Sequence, residues 1–313
     1  MSILEIESLK MDKHEDKDTD FVTSSHHIGE ELYPNIVLYR NLFKDIDKSF
    51  STLIESTKND EPALFSAWEP WSRFGEYLNP VSRQVDWHLS PINMDHLVLD
   101  NEIKKDQFDF MQELSNNVEI SLRDYILRYG LDVDMSETIV DNDGNITTLW
   151  QKGHPTICRY NEGYEGKEEL TMSYHSDYIR EPIDSPGYKF AITILAYFND
   201  NYEGGAIDFA IGKKLFKHKP KAGDILVFPS GNPSFLTEDG TVYLHSVDPI
   251  TSGDSKYFLR MFVFKYSNGS EEWSAKEKEF GKEVWKSMQE EIMENFRQAN
   301  LPRSFIEEGV RIK

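Results

Sequence analysis

With 313 residues, the chain is long enough for one large domain with a substantial core or two small ones. Its 39% hydrophobic, 13% aromatic and 28% charged residues place it in the soluble globular class. Its 34 Lys and Arg face 55 Asp and Glu, a formal charge of −21, and that field argues against duplex nucleic acid or an anionic membrane as partner. The single cysteine, Cys158, excludes an intramolecular disulfide and a cysteine-rich zinc site, and its apolar setting reads as a small buried residue.

Residues 1–30 read as a polar arm carrying His26 and His27. The arm lacks the apolar core of a secretory signal, and no stretch of the chain reaches the roughly 20 apolar residues of a membrane span. The expected location is the cytoplasm. PNIVLYRNLF reads as a short strand leading into a helix marked by Leu42, Phe43, Ile46, Phe50, Leu53 and Ile54. Residues 62–90 hold Pro, Gly and several large aromatics without a clear period, which predicts a packed loop or lid. A second helix is predicted over about 104–128, with Phe108, Met111, Leu114, Val118, Leu122 and Ile126 on one stripe. Asp143-Gly144 marks a turn between apolar stretches.

From about 155 the texture changes to short β-runs divided by Gly, Pro, Asn and Asp: PTICRY, LTMSYH, KFAITILAYF, AIDFAI, DILVFP, VYLHSV and KYFLRMFVFKY. Such punctuation predicts a β-sandwich or barrel. After 270 helical spacing returns, with Trp273, Phe280, Val284, Met288, Ile292 and Phe296 on one face. The expected domain plan is an arm over 1–30, a single domain over 31–270 and a helical extension over 271–313. Within the domain the β-core spans about 155–266 and its helical support 38–130.

His175-Ser176-Asp177 closes a predicted strand, where residues two apart share a face, so an imidazole and a carboxylate can grip one cation. His245 on another strand supplies a second imidazole. Two His and one carboxylate bind one face of an octahedral metal and leave positions open, as non-haem iron oxygenases need. A zinc hydrolase could use similar ligands, and the short motif alone also fits an ordinary polar strand end. His88, His96, His154 and His218 lack partners at ligand spacing. Lys256 opens the last β-run and shares a face with Phe258, Arg260 and Phe262. An inward-facing cation needs a partner, which the far carboxylate of a metal-chelating dicarboxylate would supply.

Taken in order, CRYNEGY, YHSD, ILAYFNDNYEGGAIDF, PKAGDILVFPS and HSVDPITSGDSKYFLRMFVF make residues 155–266 resemble the prolyl 4-hydroxylase-like branch of the 2-oxoglutarate and Fe(II)-dependent oxygenases. The resemblance implies a mainly β fold, a double-stranded β-helix or jelly roll, here buttressed by N-terminal and C-terminal helices. It implies His175, Asp177 and His245 as iron ligands and Lys256 as the 2-oxoglutarate anchor. Arg260, one pleat-pair deeper, is the rival anchor, and Tyr160 matches the family tyrosine lining the co-substrate pocket. It further implies O2 as co-substrate and ascorbate as a supporting reductant. The reaction would hydroxylate a C–H bond with release of succinate and CO2. Asp177 favours hydroxylation, since related halogenases carry a small residue there.

The chain also departs from the family. Met172 replaces a frequent tyrosine. Ala196 stands where oxygen-sensing prolyl hydroxylases carry a second co-substrate tyrosine, with Tyr197 expected to face the other way. Substrates to be tested are a prolyl residue in a peptide or protein, or a free amino acid or other small molecule. The loop 178–189 with Arg180 and the segment 62–90 are the expected substrate gates. A cupin-like metal-binding module without oxygenase activity is the competing reading. Oligomeric state stays open.

Overall fold

The computed structural model describes residues 27–58, 69–70, 72–73, 76–77, 82–86, 102–141, 143–153, 155–160, 172–175, 177, 187–211, 214–230 and 243–267. Residues 55–58, 69–86, 102–104, 107, 172–175 and 214 among these are described by their backbone alone. The predicted C-terminal helix, most of the N-terminal arm and the loop 178–186 lie outside the described residues, as do His26, His88, His96 and His154.

In chain order, β1 (Glu30–Tyr33) and β2 (Ile36–Tyr39) lead into α1 (Ile46–Lys58). Four short strands follow: β3 (Glu69–Pro70), β4 (Ser72–Arg73), β5 (Glu76–Tyr77) and β6 (Ser82–Asp86). Next come α2 (Glu102–Arg128), β7 (Thr138–Val140), β8 (Ile146–Thr148) and β9 (Trp150–Lys152). The core strands are β10 (Thr156–Tyr160), β11 (Met172–His175), β12 (Gly187–Tyr197), β13 (Tyr202–Gly204), β14 (Ile207–Ile211) and β15 (Lys214–His218). They continue with β16 (Ile225–Pro229), β17 (Tyr243–Val247), β18 (Ile250–Gly253) and β19 (Lys256–Ser267).

The strands form a nine-stranded sheet in the order β1-β2-β16-β12-β19-β10-β6-β3, with β9 also on β19, and a four-stranded sheet β11-β17-β14-β15. Antiparallel strands alternating between two facing sheets make the double-stranded β-helix, so the fold is mainly β with a modest helical flank. Three details differ from the sequence reading. The helix expected from Leu42 starts at Ile46, because the Asp45 carboxylate accepts the Lys48 N–H at 3.0 Å and caps it there. Leu42 and Phe43 still pack on the core, as the approach to that cap. The segment 62–90 is not wholly a loop: β6 pairs with β10 and extends the large sheet. His27, expected in a loose arm, lies 3.3 Å from Asp124 of α2.

Strand alternation divides the apolar residues into two layers. Ile192, Ile194 and Ala196 of β12 and Leu259, Met261 and Val263 of β19 join Met111, Leu114, Val118 and Leu122 of α2 in an outer core. The α2 stripe read from the sequence is the face it buries. Leu195 and Tyr197, Cys158 and Tyr160, and Phe258 point the other way, into the space between the sheets. One bulge interrupts this alternation. The pairing of β12 with β19 shifts between Phe190 and Ile192, leaving Ala191 as the extra residue. As a result Phe190 reaches the same side as Phe262, 4.6 Å away centroid to centroid, although Ile192 faces outward.

The turn from β13 to β14 sets the base of the inner space. Gly204 and Gly205 have φ of 73° and 65°, and a Cβ on Gly204 would lie 2.0 Å from the Pro249 carbonyl oxygen. Lys219 clamps this turn by donating to the carbonyls of Tyr202 and Gly204. Gly204→Ala is therefore expected to destabilise the fold by about 2 kcal/mol or more, read as a lower urea midpoint at unchanged slope.

Candidate metal centre

Strand pairing brings the predicted ligands to one place. β11 runs antiparallel to β17 with His175 and His245 as direct Cα partners. Side chains directly opposite across such a pair start about 5 Å apart at Cβ, within reach of a shared cation. The His175 side chain itself lies outside the described ones. His245 is 5% exposed, and its ring stands 5.1 Å from Phe228 and 5.9 Å from Phe209. Its Nδ1 lies 3.3 Å from the Tyr243 carbonyl oxygen, which can only accept, so the proton sits on Nδ1. Nε2 faces Asp177 Oδ2 at 3.7 Å.

Asp177 is 3% exposed. Its Oδ2 accepts a hydrogen bond of 2.9 Å from Thr193 Oγ1 on the inner face of β12. Thr193 Oγ1 is also 2.7 Å from Ser230 Oγ. The chemistry of this donor set fits a divalent iron: two neutral imidazoles and one carboxylate, with positions left for co-substrate and oxygen.

Lys256, also on the inner side, is 1% exposed. Its Nζ donates to the Gly205 carbonyl at 2.7 Å and lies 4.9 Å from the Tyr197 ring and 5.5 Å from the Phe258 ring. Burial, with a smaller push from Lys219 and an opposing pull from Asp248, lowers its pKa to about 7. A carboxylate arriving here would meet a cation already stripped of water.

Tyr160 is the direct Cα partner of Lys256 across β10 and β19, and its ring packs edge-on against Phe258 at 4.9 Å. Arg260 sits opposite Thr156 on one side and Leu195 on the other, with its guanidinium 5.3 Å from the Phe262 ring. The expectation that Arg260 lies deeper than Lys256 is reversed. Lys256 is the fully buried one, and Arg260 is half-buried, nearer Phe262 and its partner Thr193. Tyr197 also overturns its reading. It shares the inner face with Lys256, while Ala196 faces the helices. Burial raises its phenol well above the usual range, so it remains a neutral hydrogen-bond donor. The inner face of β19 thus reads, from one end, Lys256, Phe258, Arg260 and Phe262. The half-buried Phe190, Phe262 and Phe264 form an aromatic cluster at the far end.

Sequence reasoning missed Tyr197 and Thr193. Both could have been found by pairing β12 against the strand that opens with Lys256. His218, read as structural, lies 3.6 Å from Asp224. Among the described residues, no helix is long and apolar enough to cross a membrane.

Residues 157–264 match the family model described as the 2OG-Fe(II) oxygenase superfamily. No curated protein matches the chain. Among solved structures, it is similar to a prolyl hydroxylase from Trichoplax adhaerens in complex with a hypoxia-inducible-factor peptide fragment. That match has 12% identity and a TM-score of 0.43, covering 74% of this chain and 84% of that one. It is also similar to a viral collagen prolyl hydroxylase from Paramecium bursaria Chlorella virus-1, at 16% identity and a TM-score of 0.42, covering 74% and 96%. A third is the dioxygenase for auxin oxidation 1 of Arabidopsis thaliana with 2-oxoglutarate, at 13% identity and a TM-score of 0.47, covering 74% and 83%.

Proposed function

We propose that this chain acts as a 2OG-Fe(II) oxygenase, as the family match over residues 157–264 supports, that His175, Asp177 and His245 hold its iron, that Lys256 anchors 2-oxoglutarate, and that it hydroxylates a substrate C–H bond. The observation that carries this reading is that the buried Asp177–His245 pair and the buried Lys256, from the two different sheets, both border the same apolar space between them. When bound, iron supplies the redox chemistry that couples decarboxylation of 2-oxoglutarate to oxidation of the substrate. The chain supplies placement. Lys256, with Tyr197 and Tyr160 beside it, takes the far carboxylate of the co-substrate. Phe209 and Phe228 wall the metal side of His245 from water. The tautomer fixed by Tyr243 keeps Nε2 available. Phe190, Phe262 and Phe264 offer an apolar seat for the substrate, which suits a prolyl ring in a peptide. A second reading, a small carboxylic acid, is favoured by Arg260 on the same face.

The test is succinate formation. Metal-free protein with Fe(II), ascorbate and 2-oxoglutarate should yield succinate when oxygen is admitted, and a proline-rich peptide pool should stimulate it. Stimulation by small acids instead would select the second reading. Failure to bind 2-oxoglutarate at all, with no iron-to-ligand charge-transfer band, would sink the assignment in favour of a cupin-like module.

The pH dependence follows from Lys256. Its charged form binds the dicarboxylate, and the free protein loses that charge as pH rises through about 7. The 2-oxoglutarate dissociation constant is therefore expected to be flat below that pH and to rise by up to about tenfold per unit above it. Calorimetric titrations from pH 6 to 8.5 check this, and a flat profile would remove Lys256 as anchor.

A further inference from the structure

We propose that Thr193 is a positioning residue for the metal: its hydroxyl fixes which way the Asp177 carboxylate presents itself, and Ser230 fixes the hydroxyl. The inference rests on the reading of Asp177 as a ligand. Thr193 is 1% exposed at the centre of β12, where its Cα partners are Phe228 on β16 and Phe262 on β19. A hydroxyl between two phenylalanines is costly unless it is bonded, and valine would match the shape and suit the strand at least as well. The hydroxyl is satisfied in one direction only. An ionised carboxylate can only accept, so the Thr193 proton goes to Asp177 Oδ2 at 2.9 Å. Thr193 then has lone pairs left, and Ser230 Oγ at 2.7 Å must be the donor to it.

The relay Ser230 → Thr193 → Asp177 therefore has a fixed polarity. It also ties the segment following β11, on the small sheet, to β12 and to the residue that follows β16 in the large one. Oδ2, the oxygen that Thr193 holds, is the same oxygen that lies 3.7 Å from His245 Nε2. A bond to that oxygen restricts rotation of the carboxylate about its own axis. Hydrogen bonds of this kind behind a metal ligand are typically worth about 10–100-fold in metal affinity.

The experiment is calorimetric titration of Mn(II) or Co(II) into the full-length, metal-free protein, which reads affinity without turnover. Thr193→Val is expected to raise the dissociation constant about 10–100-fold. Thr193→Ser, which keeps the hydroxyl, should return most of the affinity. Ser230→Ala should weaken binding less than Thr193→Val, because the proton donated to Asp177 remains. The thermal midpoint of each metal-free variant reports folding separately, and Thr193→Ala serves if the valine variant does not fold. Parental affinity in Thr193→Val, or a loss that Thr193→Ser does not restore, would overturn the proposal. Asp177→Ala is run in parallel. If it binds metal as the parent does, the ligand assignment fails. If it loses the metal while Thr193→Val keeps it, only the positioning role fails.

Discussion

Asp177→Ala is expected to abolish iron-dependent succinate formation, a loss of roughly a thousandfold or more. The carboxylate is buried, faces Nε2 of His245 and is the one anionic member of the proposed ligand set. Its removal takes away a donor atom and the charge that balances a dication in a dry site, and no described residue adjoining it offers a second carboxylate to replace it. Folding should not suffer equally. In the metal-free protein Asp177 brings a desolvated carboxylate to the core, where Thr193 donates a hydrogen bond to it. The metal-free variant should therefore melt close to the parent, while the stabilisation that metal adds to the parent disappears. Differential scanning calorimetry with and without Mn(II), alongside succinate quantification, reads both halves. Parental succinate yield in this variant would remove Asp177 from the ligand set.

The second large effect concerns Lys256, where stability and function should move in opposite directions. Lys256→Met keeps the length of the side chain and removes the charge. The 2-oxoglutarate dissociation constant should rise by roughly 100-fold, the value of a charge-assisted pair in a desolvated pocket. Without ligand, however, the variant should be more stable, on the order of 1–3 kcal/mol near neutral pH, because a fully buried ammonium is replaced by an apolar group. The sign of the pH dependence follows. The folded pKa is lowered to about 7 from an ordinary value of 10.5, so between those limits the unfolded chain holds a proton that the folded protein has released. Parental stability contributed by this group therefore rises as pH climbs from 7 toward 10, and is lost as pH falls through 7. The methionine variant should lack that slope. Urea midpoints measured from pH 6 to 9 for both proteins decide it. A destabilised, pH-sensitive variant would mean that the bond to Gly205 matters more for the fold than the buried charge costs it.

Much of this arrangement was legible before any coordinates. The α2 stripe, the seven core β-runs, the Asp143-Gly144 turn and the shared face of Lys256, Phe258, Arg260 and Phe262 all follow from periodicity, because each has one apolar side and one different side. β12 broke that logic. It is buried on both faces, so Ile192, Ile194 and Ala196 look no more core-like than Leu195 and Tyr197, and period two carries no information about which set faces inward. Only its register against β19 shows that Tyr197 lies by Lys256. Thr193 was silent for a related reason. Threonine is an ordinary strand residue, and its partner Asp177 lies on a segment of the other sheet. The depth of Arg260 relative to Lys256 was misjudged because a strand position gives order along the face without saying which end is closed.

The Ala191 bulge has a consequence for how this protein tolerates insertions and deletions. Downstream of it, Thr193, Leu195 and Tyr197 are in phase with the chemistry; upstream, Phe190 is in phase as well, because Ala191 has no partner and drops out of the alternation. Loss of that residue would join Phe190 directly to Ile192 and restore plain alternation, keeping Phe190 inward opposite Phe264 and both halves in phase, whereas loss of a paired residue such as Ile194 would turn over everything on one side of it. The same deletion in the exposed β7–β8 hairpin would shorten a loop and little else. Length variation across descendants of this chain should therefore be tolerated at Ala191 and around Asp143 and absent from Ile192 to Tyr197, a pattern set by strand phase.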